Sequence, residues 1–273
     1  MRWSKAFLVF RKDLSEVARN WEVMAPMIVV PVIITVLIPA IVTLVPDSMS
    51  GSMNSGNLLE TILPNLPEAV KQTLSGYPEA KQMIYIMLLY FFAPFFLIIP
   101  LMVSGVIASD SFAGEKERKT IEALLAAPLT DSELLMGKIL VSFAPAMGVT
   151  LLSFTLYTVM VDALTLGRFG FLLLPNLTWL VMILCLAPAA SLLGIGATVI
   201  ISTRVKGFRE AQQLSALLVV PVLALLLGQA SGFLIMGPAV LVMLTILVLV
   251  VDAALFGVGI SLFNRERILS QSH

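Results

Sequence analysis

Residues 83–108 read MIYIMLLYFFAPFFLIIPLMVSGVIA and contain no charged side chain. A helix of roughly 20 apolar residues crosses a hydrocarbon core about 30 Å thick, so this stretch is long enough to span a membrane. Five similar stretches occupy residues 24–45, 139–161, 176–201, 214–236 and 237–263. The sequence therefore predicts an all-α membrane protein with six transmembrane helices.

The composition excludes a soluble domain. Hydrophobic residues make up 59% of the 273-residue chain and charged residues 12%, with a mean hydropathy of +0.99. Soluble domains are roughly 45–50% apolar and about 25% charged. The net charge of +0 favours no nucleic-acid partner. The single cysteine, Cys185, excludes an internal disulfide and a cysteine metal cluster, so we expect no metal site and a buried role for that side chain.

The distribution of basic residues predicts the orientation. Of the 17 Lys and Arg residues, all but Lys71, Lys81 and Arg168 fall in four places: the N-terminal segment, the 109–138 loop, the 202–213 loop and the C-terminal tail. Short cytoplasmic loops carry an excess of Lys and Arg. We therefore expect a multi-pass protein of the inner (plasma) membrane with both termini in the cytoplasm.

An amphipathic helix is predicted for residues 1–22, before the first span. Its apolar residues recur every three or four positions and share one helical face, which we expect to lie in the lipid interface. Charged residues, among them Arg11 and Lys12, take the other faces. The helix either only anchors the chain or also brackets a cytoplasmic partner. The apolar face comprises Trp3, Phe7, Phe10, Leu14, Val17 and Trp21.

The loop at 109–138 has strong local signals. Ser109 or Asp110 can cap a helix over 111–127, and Pro128 ends it. Thr130 and Glu133 have the spacing of a capping box that begins the next helix. The pattern predicts a helix, a break and a second helix, read either as a solvated hairpin or as a docking element.

At this point the chain resembles a known family. Residues 114–130, GEKERKTIEALLAAPLT, followed by Gly137–Lys138, resemble the signature loop of permeases of type-2 ABC exporters. The segments RKDL at 11–14 and LFNRER at 262–267 resemble the N-terminal helix and the usual ending of that family. The resemblance covers nearly the whole chain and implies one transmembrane permease domain over 1–273, with 109–138 as a cytoplasmic coupling loop.

The resemblance also implies the partners. They are two copies of a cytoplasmic ABC ATPase, a second permease (homodimer or related heterodimer) and membrane lipid. No phosphate-binding loop of the form GxxxxGK[ST] occurs in the sequence, so we expect a non-catalytic chain that holds no cofactor. ATP and Mg would be bound by the partner.

The resemblance assigns roles to residues of the two cytoplasmic elements. In the N-terminal helix, Phe7, Phe10, Arg11, Lys12 and Leu14 would flank the ATPase groove, and residues 203–212 would add a second contact. In the loop, the charged and apolar contacts to the ATPase would come from Glu115, Glu117, Arg118, Thr120, Ile121, Glu122, Leu124, Leu125 and Pro128.

Asp252 is the one ionisable residue clearly inside a predicted span. Such residues are costly in lipid and are often functional. It would contact a cation, a proton or a partner helix on a translocation path, or lie in the outer third of the span, either snorkelling or paired with a loop group. Asp162 and Arg168 are predicted to be solvated. Phe91, Phe92, Phe95 and Phe96 would line a path or face lipid.

The 46–82 loop is predicted to lie outside the cell. Residues 47–57 are expected to be flexible and 63–82 helical, with Pro67 in a first turn and an interruption at Gly76 and Pro78. Gly237 and Pro238 would divide either two full spans or one span and a re-entrant segment.

Two other classes of membrane protein stay open, a secondary transporter and an assembly protein not coupled to ATP. A His-based membrane hydrolase is excluded because the only histidine is His273.

Overall fold

Six helices long and apolar enough to cross a membrane dominate the fold. The computed structural model describes residues 3–44, 55–120, 130–232 and 237–262. No β-strand occurs in these ranges, so the predicted all-α membrane fold is confirmed. In chain order, spans 1 to 6 are Trp21–Leu44, Glu79–Glu117, Glu133–Phe169, Leu177–Ser202, Phe208–Ala230 and Pro238–Gly259.

The N-terminal helix is shorter than its apolar pattern suggests. It runs Trp3–Val17 and packs against the helix of span 3. A turn follows, and the Asn20 side chain accepts a hydrogen bond from the Glu22 amide and so caps span 1. Trp21 therefore belongs to span 1 rather than to the amphipathic face. Val17 is buried whereas Phe7 is exposed, so only part of the predicted lipid face is free of the protein.

Span 3 begins and ends at clear signals. Its helix runs Asp131–Phe169. Thr130 Oγ1 accepts a hydrogen bond from the Glu133 amide, and Glu133 Oε2 accepts one from the Thr130 amide. The predicted capping box is thus confirmed. At the other end, Gly170 adopts φ 78°, a left-handed conformation that ends helices and favours glycine.

Spans 5 and 6 are separate full-length helices. Span 5 consists of Phe208–Ala216 and Val219–Ala230 joined by a tight turn, and the helix of span 6 runs Pro238–Leu262. The prediction of two full spans is therefore correct, and the alternative of one span and a re-entrant segment is wrong. Span 5 begins at Phe208, so residues 208–212 are helical although the sequence placed them in a loop.

A small helical cap lies at the end of the bundle opposite the N-terminal helix. It contains Ser55–Ile62, Leu63–Asn65 and Glu68–Leu74, followed by a break before span 2 at Glu79. The predicted helix after Pro67 and the interruption near Gly76 are confirmed. Of the stretch expected to be flexible, residues 55–57 are helical and 47–54 lie outside the described residues.

The cap is fastened to two other parts of the bundle. Asn65 Nδ2 donates a hydrogen bond of 2.9 Å to the Gly232 carbonyl, in the turn after span 5. Lys81 Nζ donates one of 3.0 Å to the Arg168 carbonyl at the end of span 3. The cap has an apolar cluster of its own, formed by Leu59, Ile62, Leu66, Leu74 and Ile86.

Span 2 lies at the centre of the bundle. It is the most buried of the six spans and packs against spans 3, 4 and 5, while span 6, the least buried, packs against span 4. Spans 2 and 4 approach closely at Gly194. A Cβ there would lie 2.6 Å from Ser104 Oγ and 2.8 Å from the Leu101 carbonyl oxygen. A small residue of span 4 thus allows close packing against span 2 at this position.

Two wide π-helical turns in span 2 expose backbone carbonyls to its neighbours. In the first turn, at Met87–Phe91, the Phe92 amide donates a hydrogen bond to the Met87 carbonyl. Pro94 has no amide hydrogen and so donates no backbone hydrogen bond in this region. Tyr157 of span 3 donates its hydroxyl to the Leu88 carbonyl at 2.7 Å, and Trp179 Nε1 of span 4 donates to the Leu89 carbonyl at 2.9 Å. Spans 3 and 4 thus satisfy polar groups that lipid could not.

Several sequence interpretations need correction. Asp162 is buried rather than solvated, because its Oδ1 accepts hydrogen bonds from the Leu173 and Leu174 amides at 2.9 and 3.1 Å. Arg168 is half-buried. Cys185 is exposed on span 4, not buried. Phe92 and Phe96 are core residues, and the Phe96 ring lies edge-on to Trp179. These two side chains therefore neither line a path nor face lipid, which were the two predicted alternatives.

Candidate functional site

The candidate site lies at the end of the bundle that carries the N-terminal helix, here called the basic end. Span 2 continues without a break through Asp110 to Glu117, with its second π-helical turn at Asp110–Gly114. Ser109 and Asp110 are buried within this helix and do not cap a new one. The predicted helix over 111–127 therefore does not start at 111.

Lys138, in the second turn of span 3, is the centre of a buried cluster of charged groups. Its side chain is 1% exposed. The ammonium group donates hydrogen bonds to the Ser111 carbonyl, to Ser111 Oγ and to Glu115 Oε2. It also lies 3.6 Å from Asp13 Oδ2 of the N-terminal helix, which accepts a hydrogen bond from Ser111 Oγ at 3.1 Å. One cation thus joins three elements of the fold.

Glu115 is enclosed by this cluster. It is 1% exposed, and its Oε1 accepts a hydrogen bond from Lys12 Nζ at 3.2 Å. The sequence assigned Glu115 to charged contacts with a partner protein. That assignment is wrong for a direct contact, because both carboxylate oxygens already face lysines of the same chain.

Lys12 closes the cluster toward the solvent. Its ammonium lies 3.4 Å from Asp13 Oδ1 and 3.3 Å from Glu16 Oε1. Partial burial lowers the pKa of Lys12, but Glu115 and Asp13 together raise it by more, so it lies above the ordinary lysine value. Lys12 is therefore charged at neutral pH.

A second ion pair fixes the start of the loop. Arg118 Nη1 donates to Asp110 Oδ1 at 2.9 Å, and Asn20 Nδ2 donates to the same oxygen at 3.3 Å. Gly114 leaves room for this contact, since a Cβ there would lie 2.9 Å from Asp110 Oδ1. The turn between the N-terminal helix and span 1 is thereby tied to the loop. Arg118 therefore pairs with Asp110.

Glu117 connects the same region to span 5. Its Oε2 accepts a hydrogen bond of 2.9 Å from the Phe208 amide, at the first residue of that helix. Lys116 Nζ donates to the Val205 carbonyl at 3.2 Å. The carboxylate of Glu117 supplies the acceptor that a helix N-terminus needs, which explains why span 5 begins at Phe208 rather than inside the apolar run.

The chain then leaves the helix at Lys119, which has a positive φ of 56°. Glu117, Arg118 and Thr120 are exposed, and the Thr120 amide donates to the Glu115 carbonyl at 3.0 Å. The other predicted loop contacts, Ile121, Glu122, Leu124, Leu125 and Pro128, lie outside the described residues.

The N-terminal helix presents three kinds of surface. Asp13, together with Val9 and Val17, faces the protein. Phe7 is exposed and stacks on the partly buried Phe10, with ring centroids 5.5 Å apart, while Leu14 is also partly buried. Arg11 is exposed, and so is Lys12, although the Lys12 ammonium is paired within the cluster. The helix is therefore an integral part of the bundle and also offers a free apolar and basic edge.

The chemistry of the cluster is that of ion pairing. Carboxylate oxygens of Asp13, Glu16 and Glu115 lie within 4.8 Å of one another, but the ammonium groups of Lys12 and Lys138 lie among them. Buried opposite charges of this kind hold a geometry, because breaking one pair leaves an uncompensated charge.

Sequence reasoning missed three members of the cluster: Asp13 and Ser111 were not assigned a contact, and Lys138 was noted only as part of a motif. One signal was present. Lys138 begins an otherwise apolar run, and Asp13 follows the paired basic residues of the N-terminal helix. Charged side chains at such boundaries need partners. Their pairing across 125 positions could not be read from one sequence.

Asp252 lies apart from this cluster, in span 6. It is 3% exposed, and neither carboxylate oxygen has a hydrogen-bond partner within the described ranges. Nearby, span 6 packs closely on span 4, since a Cβ on Gly196 would lie 3.3 Å from Leu255 Cβ. At ~1.5 Å per residue, Asp252 lies about 21 Å along the helix from Pro238, the first residue of span 6. It is therefore not in the third of the span that begins at Pro238. Its role on a translocation path stays a prediction.

Comparison with known proteins decides the family. The model of the family described as ABC-2 family transporter protein matches residues 7–239, which include the N-terminal helix, the buried cluster and five of the six spans. The chain belongs to the ABC-2 transporter family. No curated protein matches it. The resemblance seen in the sequence is thus confirmed.

Membership makes the chain a membrane permease of the ABC-2 type, a multi-pass transport component of a family that associates with ATPase partners and is generally non-catalytic. The segments that carried the resemblance, RKDL at 11–14, the 114–120 part of the loop and Gly137–Lys138, are far apart in the sequence. In the permease they meet at the buried cluster.

Proposed function

We propose that this permease forms the translocation path of an ATP-driven exporter and is moved by a separate cytoplasmic ATPase that binds at the basic end. Two permease subunits, identical or related, would pair in the membrane, and two ATPase subunits would bind beneath them. The ATPase would hold ATP and Mg, and the permease would hold neither.

One observation carries the proposal. The start of the loop, residues 118–120, follows directly on a buried cluster that connects the N-terminal helix, span 2 and span 3. Glu117 extends this connection to span 5. A force applied to the loop would therefore reach four elements at once. These connections favour the docking interpretation over a solvated hairpin.

The charge distribution supports the orientation. The basic end holds the N-terminal segment, the 109–138 loop and the 202–213 loop, where most of the Lys and Arg residues lie. The basic end would face the cytoplasm and the cap of residues 55–74 would face outward. The membrane would be the inner membrane of a prokaryotic cell, as the family resemblance implies.

The contacts with the ATPase follow from exposure. Glu117, Arg118 and Thr120 are exposed and would contact the ATPase at the start of the loop. Ile121, Glu122, Leu124, Leu125 and Pro128 would supply the rest, on the evidence of the sequence alone. Phe7, Phe10, Arg11 and Leu14 would flank the groove, while Lys12 and Glu115 act from within the permease. The stretch 203–207 would be the second contact.

The test is recovery of the ATPase with the tagged permease from mild detergent. We expect an ABC ATPase to co-purify and to hydrolyse ATP in lipid nanodiscs. Glu122→Lys should lower the recovered ATPase about tenfold or more, because charge reversal within an interface is costly. The matched control is Glu60→Lys, an exposed glutamate of the cap, which should leave recovery unchanged.

Two results would refute the proposal. One is purification of the native permease without any ATPase, together with transport driven by an ion gradient, which would indicate a secondary transporter. The other is equal recovery of the ATPase with Glu122→Lys and Glu60→Lys, which would remove the loop from the interface.

A further inference from the structure

Among the residues that the structure describes, Lys138 is the one cation that links all three segments of the buried cluster. It is 1% exposed, and its partners come from the N-terminal helix (Asp13) and from span 2 (Ser111 and Glu115). One of its acceptors is the Ser111 carbonyl, within the π-helical turn at Asp110–Gly114. A π turn leaves carbonyls available to side chains, so the backbone of span 2 is itself held by Lys138.

The ion pairs of Arg118 and Lys12 at this end are less buried than those of Lys138, and each of them connects fewer elements. Arg118 and Lys12 keep about 40% of their side chains exposed, at 43% and 41%. Exposed pairs contribute little and are screened by salt, whereas breaking a buried pair is strongly unfavourable. Movement of the loop can therefore rearrange the outer pairs while the contacts of Lys138 persist.

We propose that Lys138 is a positioning residue for the transport reaction: it makes the N-terminal helix, the end of span 2 and the start of span 3 move as one body when the ATPase displaces the loop. This inference rests on the proposed function. According to this inference, the N-terminal helix belongs to the moving body and does more than anchor the chain.

The mechanical argument follows from the geometry. If the end of span 2 moved alone, the Lys138 ammonium would lose Glu115 and the Ser111 carbonyl, and Asp13 would lose Ser111 Oγ. Each loss would leave a buried charge or polar group without a partner. Moving the three elements together breaks none of these contacts, so the joint movement is the lower-energy path.

The experiment uses the permease–ATPase complex in nanodiscs and two variants. In Lys138→Met the carboxylates lose their cation, and this complex is expected to assemble poorly. In Lys138→Met/Glu115→Gln the charges balance again, and yield should return. We expect ATP hydrolysis per complex to have a kcat about tenfold below the native value in the double variant, within the range of known couplings between sites. The KM for ATP should stay the same, because ATP binds to the other subunit.

The control is Lys71→Met, which removes a lysine of the cap whose partner in the described part of the chain is nearby Glu68, and it should leave kcat and yield unchanged. A purely structural role for Lys138 predicts that the double variant recovers yield and kcat together, and that result would overturn the inference. An equal fall in kcat with Lys71→Met would overturn it as well. If the native permease brings down no ATPase, the proposed function itself fails, and the two failures are thus distinguishable.

Discussion

At the scale of single residues, the permease places charged side chains where they replace missing backbone partners. Asp162 is the clearest case beyond the basic end. Its Oδ1 accepts hydrogen bonds from two consecutive amides, those of Leu173 and Leu174, in the connection between spans 3 and 4. Both hydrogen bonds are buried. The carboxylate thus holds this connection to span 3.

Replacing Asp162 by Ala should destabilise the permease by about 2–4 kcal/mol, because each buried amide left unpaired costs about 1–3 kcal/mol. Asp162→Asn is the matched control, since it keeps an oxygen at the same position. We expect it to cost about 1 kcal/mol or less. Unfolding in mixed detergent and SDS micelles measures both. Equal losses for Ala and Asn would contradict the role assigned to the oxygen.

The sequence showed which residues are unusual but not what they contact. Asp162, Asp13 and Lys138 all stand at the edges of apolar runs, and hydropathy treats such positions as boundaries with water. Their burial depends on amides and side chains brought close by the packing of other helices. That information is spread over the whole chain. Local rules succeeded where both partners are local, as in the capping box of Thr130 and Glu133.

At the scale of helices, close packing of spans 2 and 4 depends on a few small residues. Gly194 lies against the backbone of Leu101, and Ser104 Oγ donates to the Ser191 carbonyl at 3.0 Å. In lipid, helices associate through packing and hydrogen bonds rather than through hydrophobic burial. The Gly194 contact is therefore a main source of stability between the two most buried spans.

Gly194→Ala should destabilise the permease by about 1–3 kcal/mol, because the new methyl group meets a backbone oxygen that cannot move aside easily. Gly148→Ala, in the exposed middle of the span 3 helix, is the matched control, with no atom within 4 Å of the added Cβ. It should cause no loss and gain up to about 1 kcal/mol. Unfolding midpoints of the two variants give the comparison. A Gly194 variant as stable as the Gly148 variant would refute the close approach.

The number of spans was predictable, but their ends were not. Span 2 was expected to end near residue 108 and continues to Glu117. The extension is polar: Asp110, Ser111 and Glu115 are buried by partners on other helices, so the helix goes on beyond the apolar run. Span 5 begins early for a related reason, the acceptor supplied by Glu117.

At the scale of the whole permease, the two ends differ in construction. The basic end is joined by ion pairs among the N-terminal helix and spans 2 and 3. The opposite end is joined by an apolar cap and by neutral hydrogen bonds, among them Asn65 to Gly232. The family pattern indicated which segments form the first end, but not how their side chains pair. The second depends on contacts between residues 167 positions apart.

The proposed orientation predicts opposite labelling of two cysteines. In a Cys185→Ser background, Gln72→Cys in the cap should react with a membrane-impermeant maleimide on intact cells. Lys206→Cys at the basic end should react only after the membrane is made permeable. Both positions are exposed in the structure. Labelling of Lys206→Cys on intact cells would reverse the orientation and remove the ATPase from the basic end.

The outer π-helical turn of span 2 has a consequence for biogenesis. Leu88 and Leu89 offer carbonyls whose donors, Tyr157 and Trp179, are synthesised about 70 and 90 residues later. When span 2 first leaves the insertion machinery, those donors do not yet exist. The newly inserted helix must keep regular α-helical bonding there, or remain sheltered from lipid, until spans 3 and 4 arrive. The native form of span 2 is thus completed during assembly by helices that enter the membrane after it.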